Sequence, residues 1–564
     1  MKFTEYEYKR PNFVQFKQEF EVLLDDLKSS NHIEKQISVI NKMNSMRETT
    51  ETMRMLCKIR YELNTNNSFY KEEMEYFNET QPKIEELIFK YYKILLHTEN
   101  KSELKKLFGE QLFNLAELRQ LSFTPEIIND LQKENVLISE YISLLSKTKL
   151  TFMGQEMTLS EIRPFFQSKD RKTRKQAYEA YTDCYKALEN RIDEIFNQMI
   201  IVRTDMARKL GYETFTKPAY TRLKRSGYTP EDIASFRDHV VKYVVPISVE
   251  LLKNQEKRIG IDKLRYYDES FLFKTGNALP AINIDDMIET AFKMYSSISS
   301  ETAEFFQFMK ESELFDVTSR YGKIGGGYCD YFNDFKAPFI FGNLNGTAAD
   351  VKTFTHEGGH AFQLYCARDF TIPEYHFTTL DTCEIHAVSM EFITYPYMEM
   401  FFKHDALKYQ FTHLTEAILF IPYCCLIDEF QFVIYENPSL SIDQRKSKWR
   451  ELEKKYLPYR DYEDNDFLNK GTYWYRQGHL FFEPFYYIDY AIAQICAFQF
   501  YKKFQENEEK AWNDYLILCK AGGSKSMLEL IKLANLENPF NEATISNSVR
   551  MIQKEIDTID DSDW

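Results

Sequence analysis

Glycine and proline are scarce in this chain: 18 and 16 among 564 residues. So few turn formers disfavour a β-rich fold, which needs frequent tight turns. Cysteine is sparser still. The nine are scattered, odd in number and without any C-x-x-C, which speaks against a disulfide framework and leaves Cys424-Cys425 as core. Positive charge is outweighed: the net charge is −15, with acids spread along the chain, so no basic surface awaits a phosphate backbone and nucleic acid is not an expected partner. Long apolar runs are missing too. The longest, 417–427, contains Pro422 and is too short for a membrane span, so a buried helix explains it. The opening MKFTEYEYKRPNF lacks the apolar centre of a signal peptide. Together these readings place the chain in the cytoplasm, away from membranes.

What is abundant is aromatic: 46 Phe and 38 Tyr within a composition 44% hydrophobic. That suits long helices around a large core, and the length suggests more than one lobe. Phe13, Phe16, Phe20, Leu23 and Leu27 form an apolar stripe at helical spacing. Similar patterns predict helices over 34–63, 68–97, 101–121 and 125–147, then a small hairpin over 150–159 turning near Gly154. Thr229-Pro230-Glu231-Asp232 opens another helix. With no repeat or low-complexity linker, we set a soft boundary near 180: a helical N-terminal lobe, 1–180, and a second domain, 181–564. The clearly strand-like stretches are 320–332 and 337–344. The triple glycine 325–327 is followed by no G-K-[ST], so a small sheet is a better account than a phosphate loop. Its edge could pair with an extended peptide, with Gly326 and Gly327 as the expected contacts. The acidic tail EIDTIDDSDW is expected to be solvated and frayed.

Histidine numbers only ten, yet two of them sit in His356-Glu357-Gly358-Gly359-His360. Residues four apart share one face of a helix, so two imidazoles can bind one metal ion, and the intervening glutamate is held beside the ion's open position as a base. This is the zincin arrangement. The helix is supported by the capping pattern Thr347/Asp350 and by Val351, Phe354, Phe362 and Tyr365, through to about 369. The two glycines fit either close approach of another backbone or tight packing. A metzincin would carry histidine at 366 and glycine at 363; these are Cys366 and Gln363, so the third ligand must come from another segment. Glu384 and Glu391, on a helix predicted over 382–395, share a face but lie about 10.5 Å apart along its axis. One should bind the ion and the other orient a ligand histidine, and spacing does not choose. His376 and His386 are rivals, each more in keeping with a hydrogen-bonded histidine.

The segment T-H-E-G-G-H-A-F-Q, with C-E-I-H-A-V-S-M-E-F downstream, resembles the thimet oligopeptidase and oligoendopeptidase F family of zinc peptidases, most of all its oligoendopeptidase F or Pz-peptidase-like branch. The match is dense from about 320 to 400 and again near 470–500. The resemblance implies Zn²⁺, one per chain, on His356, His360 and Glu384, with Glu391 behind them and Glu357 as general base. Y-W-Y-R-Q-G-H-L-F-F-E-P-F-Y-Y-I-D-Y resembles the family's histidine-and-tyrosine segment, implying that His479, Tyr487 and Tyr490 face the zinc across a cleft. A one-residue gap leaves Tyr486 or Tyr487 open, and Tyr486 is expected among the substrate contacts. The implied fold is mainly α: a two-lobed helical zincin-type metallopeptidase with a small β-sheet beside the metal helix and a deep cleft for short unfolded peptides. The expected activity is endopeptidase action on oligopeptides. A metallo-carboxypeptidase on the same core and a non-catalytic peptide-binding protein are the alternatives.

Overall fold

The computed structural model describes residues 1–284, 286–320 and 322–564. The N-terminal helices close on a core of their own. Phe13–Ser29 begins at Asn12, whose side chain accepts from the Gln15 amide, and buries Phe16, Phe20, Leu24 and Leu27. Against it pack Ile33–Leu63 and Ser68–His97. The stretch predicted as one helix over 101–121 is two, Lys101–Phe108 and Glu110–Ser122, because Gly109 sits at φ +89°. The Tyr375 hydroxyl repairs that break: it donates to Phe108 O (2.7 Å) and accepts from Leu112 N (2.9 Å). Ile372 and Tyr375 thereby tie this core to the rest of the chain.

The hairpin forms as expected, β1 (Lys149–Phe152) antiparallel to β2 (Gln155–Thr158), with Gly154 at φ +78°. The Thr229/Asp232 capping box opens Pro230–Tyr243. The second sheet contains β3 (Phe315–Thr318), β4 (Tyr328–Phe332) and β5 (Ala337–Leu344) in the order β3-β5-β4, with β3 parallel and β4 antiparallel to β5. Of the strand predicted over 320–332, only the last five residues pair; Tyr321 lies outside the described residues. The glycine-rich part before them is a loop, pinned by Lys323 to Gly342 O (2.5 Å) and by Asn343 to the carbonyls of Ile324 (2.7 Å) and Gly326 (2.9 Å). β3 escaped prediction because four residues are too few to show a period of two.

β5 leads into the helix Ala348–Ala367, which carries the H-E-x-x-H motif. Its start differs from the expected capping pair: Thr347 makes no side-chain cap, while Asp350 Oδ2 accepts from the amides of Asn345 (2.7 Å) and Gly346 (2.5 Å). Behind it lies Leu380–Ile393, backed in turn by Ile488–Glu506, which packs against Ala406–Glu436. A Cβ on Gly359 would lie 2.7 Å from Ala387 Cα and 2.8 Å from His386 O, so this glycine lets the two helices touch backbone to backbone. Gly358 instead makes room for the Tyr295 ring.

Two further expectations meet the structure differently. Glu399–Glu436 is long and apolar enough to cross a membrane by composition, but most of it is packed inside the fold. The C-terminal tail is docked rather than frayed: the Trp564 ring meets Phe273 (5.4 Å) and Phe411 (5.7 Å), and Asp561 pairs with Arg258 at 2.8 Å. Burying one indole while pairing one of the acids outweighs the repulsion that charge alone predicts. All nine cysteines are free.

Candidate active site

His356 and His360 project from one face of their helix, ring centroids 5.0 Å apart. Glu384, carried by the helix that Gly359 admits, brings Oε2 to 3.2 Å from His356 Nε2 and 3.9 Å from His360 Nε2. One ligand atom from each of the three lies within 4.8 Å of the others. A tetrahedral ion with bonds of about 2.0–2.2 Å holds its ligands roughly 3.3–3.6 Å apart, so the spacing suits one ion. Glu384 Oε1 accepts from the Tyr486 hydroxyl, whereas Oε2, though buried, has no hydrogen-bond partner. An orphaned oxygen on a buried carboxylate is costly unless a cation meets it. Burial works against the charge on Glu384, but the two histidines and Tyr486 prevail and hold its carboxyl down at about 2. The residues therefore fit a metal ion.

Glu391 fills the supporting position. Its Oε1 lies 2.6 Å from His356 Nδ1, and its Oε2 lies 2.5 Å from His413 Nε2, whose other nitrogen meets the Tyr395 hydroxyl. Accepting at Nδ1–H turns the His356 Nε2 lone pair toward Glu384 and the ion site. Neither rival histidine joins the group. His376 is used by Phe370 O (2.8 Å) and Asn333 (3.2 Å), and His386 lies two residues from Glu384, about 200° round the helix.

Glu357 is only 8% exposed. Burial, with the nearby carboxylates of Glu384, Glu391 and Asp330, pushes its carboxyl up to about 7 against the pull of His356. A Cβ on Gly327 would stand 3.9 Å from Glu357 Oε1, while Gly326, at φ +102°, borders open space. β4 beyond them is an edge strand with no backbone partner besides β5 among the described residues.

The facing segment is shaped by aromatic packing. Tyr423 donates to Gln477 Oε1 (3.1 Å), which aims the Gln477 amide N–H at His479 Nδ1 (3.0 Å) and leaves the His479 proton on Nε2. Burial lowers the His479 imidazole to about 4 and raises the phenols of Tyr486, Tyr487 and Tyr490 well above their ordinary range, so all four are neutral donors. The Glu384 carboxylate faces His479, Tyr486 and Tyr490. Tyr487 is surrounded otherwise, with Phe420, Tyr423 and His479 at its ring and Cys424 near its hydroxyl.

Residues 165–549 match Peptidase family M3, and residues 3–123 match the Peptidase M3 N-terminal domain. The chain belongs to peptidase family M3. It is similar over its whole length to a solved structure of Pz peptidase A with an inhibitor, with 46% identity, a TM-score of 0.96 and complete coverage of both chains. An oligoendopeptidase F homolog of Borreliella burgdorferi is 22% identical over 72% of this chain and 68% of its own length. Oligopeptidase PepF of Bacillus subtilis is 20% identical over 78% and 67%. This M3 chain is thus a peptidase, mainly helical with two small sheets.

Two features of this M3 site went unseen in the sequence. His413 lies on a helix that is apolar nearly all round, and a lone buried histidine there was the available signal. The other is the hydrogen bond that Tyr486, expected among the substrate contacts, donates to Glu384.

Proposed function

We propose that this M3 peptidase is a zinc endopeptidase hydrolysing peptide bonds in short, unfolded oligopeptides, with one Zn²⁺ held by His356, His360 and Glu384. The observation that carries the reading is the buried Glu357 carboxylate beside a His₂Glu group whose Glu384 Oε2 lacks a partner. Two imidazoles and one carboxylate suit zinc among divalent ions. When bound there, zinc supplies a Lewis acid that polarises a carbonyl and acidifies water.

The protein's own groups do the rest. Glu357 takes the proton of the attacking water and passes it to the leaving amine. His479 and Tyr490 donate hydrogen bonds to the carbonyl oxygen as it gains charge. Tyr486 and Glu391 orient Glu384 and His356, and Tyr487 packs against His479. Gly326 and Gly327 leave room for an extended peptide on the β4 edge, which favours unfolded substrates. Endo-action over the carboxypeptidase alternative is supported by the relatives named for oligoendopeptidase activity.

Glu357→Gln tests the reading. The variant should retain one zinc per chain and lose at least about a hundredfold in turnover of a quenched-fluorescent peptide of about ten residues blocked at both ends. Wild-type turnover in the variant would overturn the role of Glu357. Failure of the native enzyme to cut the blocked peptide, with release of C-terminal residues from a free one, would make it a carboxypeptidase.

A further inference from the structure

A cavity of about 440 Å³ opens between the N-terminal helices and the catalytic half. One wall is the metal helix at Leu364, one turn beyond His360, with Asp330 and Tyr331 of β4. Phe377, also in the wall, has its ring 6.3 Å from that of His360. The cavity therefore adjoins the metal group without including it.

Most of its charges are paired. Arg47 meets Glu374 (2.5 Å), Arg54 meets Glu51 (2.6 Å), Arg119 meets Glu85 (2.6 Å), and Asp330 is held by Lys58 (2.6 Å). Glu48 has the His376 ring at 3.9 Å and faces Arg47 and Lys336, and burial raises its carboxyl to about 7. Lys224 is different. Its backbone is held at φ +59°, a conformation unusual for a lysine, and its side chain makes no ion pair among the described residues. It is exposed to the water of the cavity yet enclosed enough for desolvation to pull its ammonium below the ordinary range. The charges that face it are Glu374, Glu85, Arg119 and Arg47. Glu48 shares Arg47 with Glu374, so the surrounding charges balance, and Lys224 is the lining cation that has no carboxylate within ion-pair distance among the described residues.

β4 connects this cavity to the chemistry. Gly327 stands beside Glu357, and three residues along the strand Asp330 lines the cavity. At about 3.3 Å per residue, that is roughly 10 Å. We propose that Lys224 anchors a carboxylate-binding subsite in this cavity, which takes a negatively charged group of the substrate about three residues from the scissile bond. The subsite rests on the proposed endopeptidase reading. Pairing parallel to β4 brings the free C-terminus of a short peptide there; antiparallel pairing brings an acidic side chain N-terminal to the cut.

The test uses a neutral quenched-fluorescent peptide blocked at both ends, the same peptide with a free C-terminal carboxylate, and a set with one Asp moved two to four residues either side of the cut. The native enzyme should favour one carboxylate-bearing form by about tenfold in kcat/KM, through KM. Lys224→Met should remove that preference and leave the neutral peptide cut within about twofold of the native rate, while Lys224→Arg keeps the preference. Preference for the free C-terminus or for an Asp C-terminal to the cut identifies parallel pairing, and preference for an Asp N-terminal to the cut identifies antiparallel pairing. A native enzyme that cuts the neutral peptide but shows no preference, or a preference that survives in Lys224→Met, overturns the subsite and leaves the endopeptidase reading standing. A native enzyme that cuts none of the peptides overturns both.

Discussion

On the side of His356, His360 and Glu384, His356 Nδ1 and Glu384 Oε1 already have partners inside the protein, while the buried Glu384 Oε2 has none. Across from it the arrangement is reversed: His479 and Tyr490 are neutral, half-buried and oriented by packing, with donors that no acceptor among the described residues consumes. The first wall is held from behind by Glu391 and Tyr486 and leaves two imidazoles and one negative charge facing the site, which is what a permanent cation requires. The second is left unsatisfied at rest, which suits a charge present only while a bond is being broken. Substitutions on the two walls should therefore separate: one set should change metal retention, the other turnover.

The largest separation is expected at Tyr490. Tyr490→Phe removes one hydroxyl and leaves the ring packed near Phe420 and Tyr486. Turnover should fall about a hundredfold with little change in KM or zinc content. Metal loss in this variant would break the division between the walls, because it would show Tyr490 supporting the ion through Glu384.

A smaller effect of the other kind is expected at His413. Its loss leaves Glu391 Oε2 buried without its imidazole partner, with only Lys352 at 3.9 Å. His413→Leu should weaken zinc retention against a chelator by about ten- to a hundredfold, while the enzyme saturated with zinc keeps turnover within a few-fold. His413→Gln, which keeps an N–H donor, should recover part of the retention. If turnover of the saturated enzyme falls instead, the first wall takes part in catalysis directly.

The same division decides what could be read from the sequence. His356, Glu357 and His360 were legible because helix geometry alone puts residues four apart on one face. Glu384 and Glu391 were legible as a pair but not as separate roles. Their assignment depends on where the second helix touches the first, and that contact is at Gly359 against Ala387, between the two glutamates. His413 lies 22 residues from Glu391 on another helix, and nothing periodic announces such a partner. Strand β3 and the docked tail escaped for related reasons: one is too short to carry a pattern, and the other is held by a single indole at its end. Local geometry was readable; contacts between segments were not.

Tyr487 gives the finest test of the facing wall. The family resemblance puts it beside Tyr490 as a donor, whereas the Glu384 carboxylate faces His479, Tyr486 and Tyr490, and the groups that face the Tyr487 hydroxyl are Cys424, Tyr423, Tyr490 and Arg476. Its ring stands edge-on to His479 at 4.9 Å and to Tyr490 at 5.4 Å, so its contribution is to hold both in place. Tyr487→Phe preserves that ring and should alter turnover by no more than about threefold, less than the hundredfold typical of a lost oxyanion donor. Tyr487→Ala, which removes the support, should cost turnover more than Tyr487→Phe. Equal, large losses in Tyr487→Phe and Tyr490→Phe would mean that the loop through Phe485, at φ +68°, shifts on substrate binding and swings the Tyr487 hydroxyl toward the reacting carbonyl. The wall would then be completed by the substrate rather than set in advance.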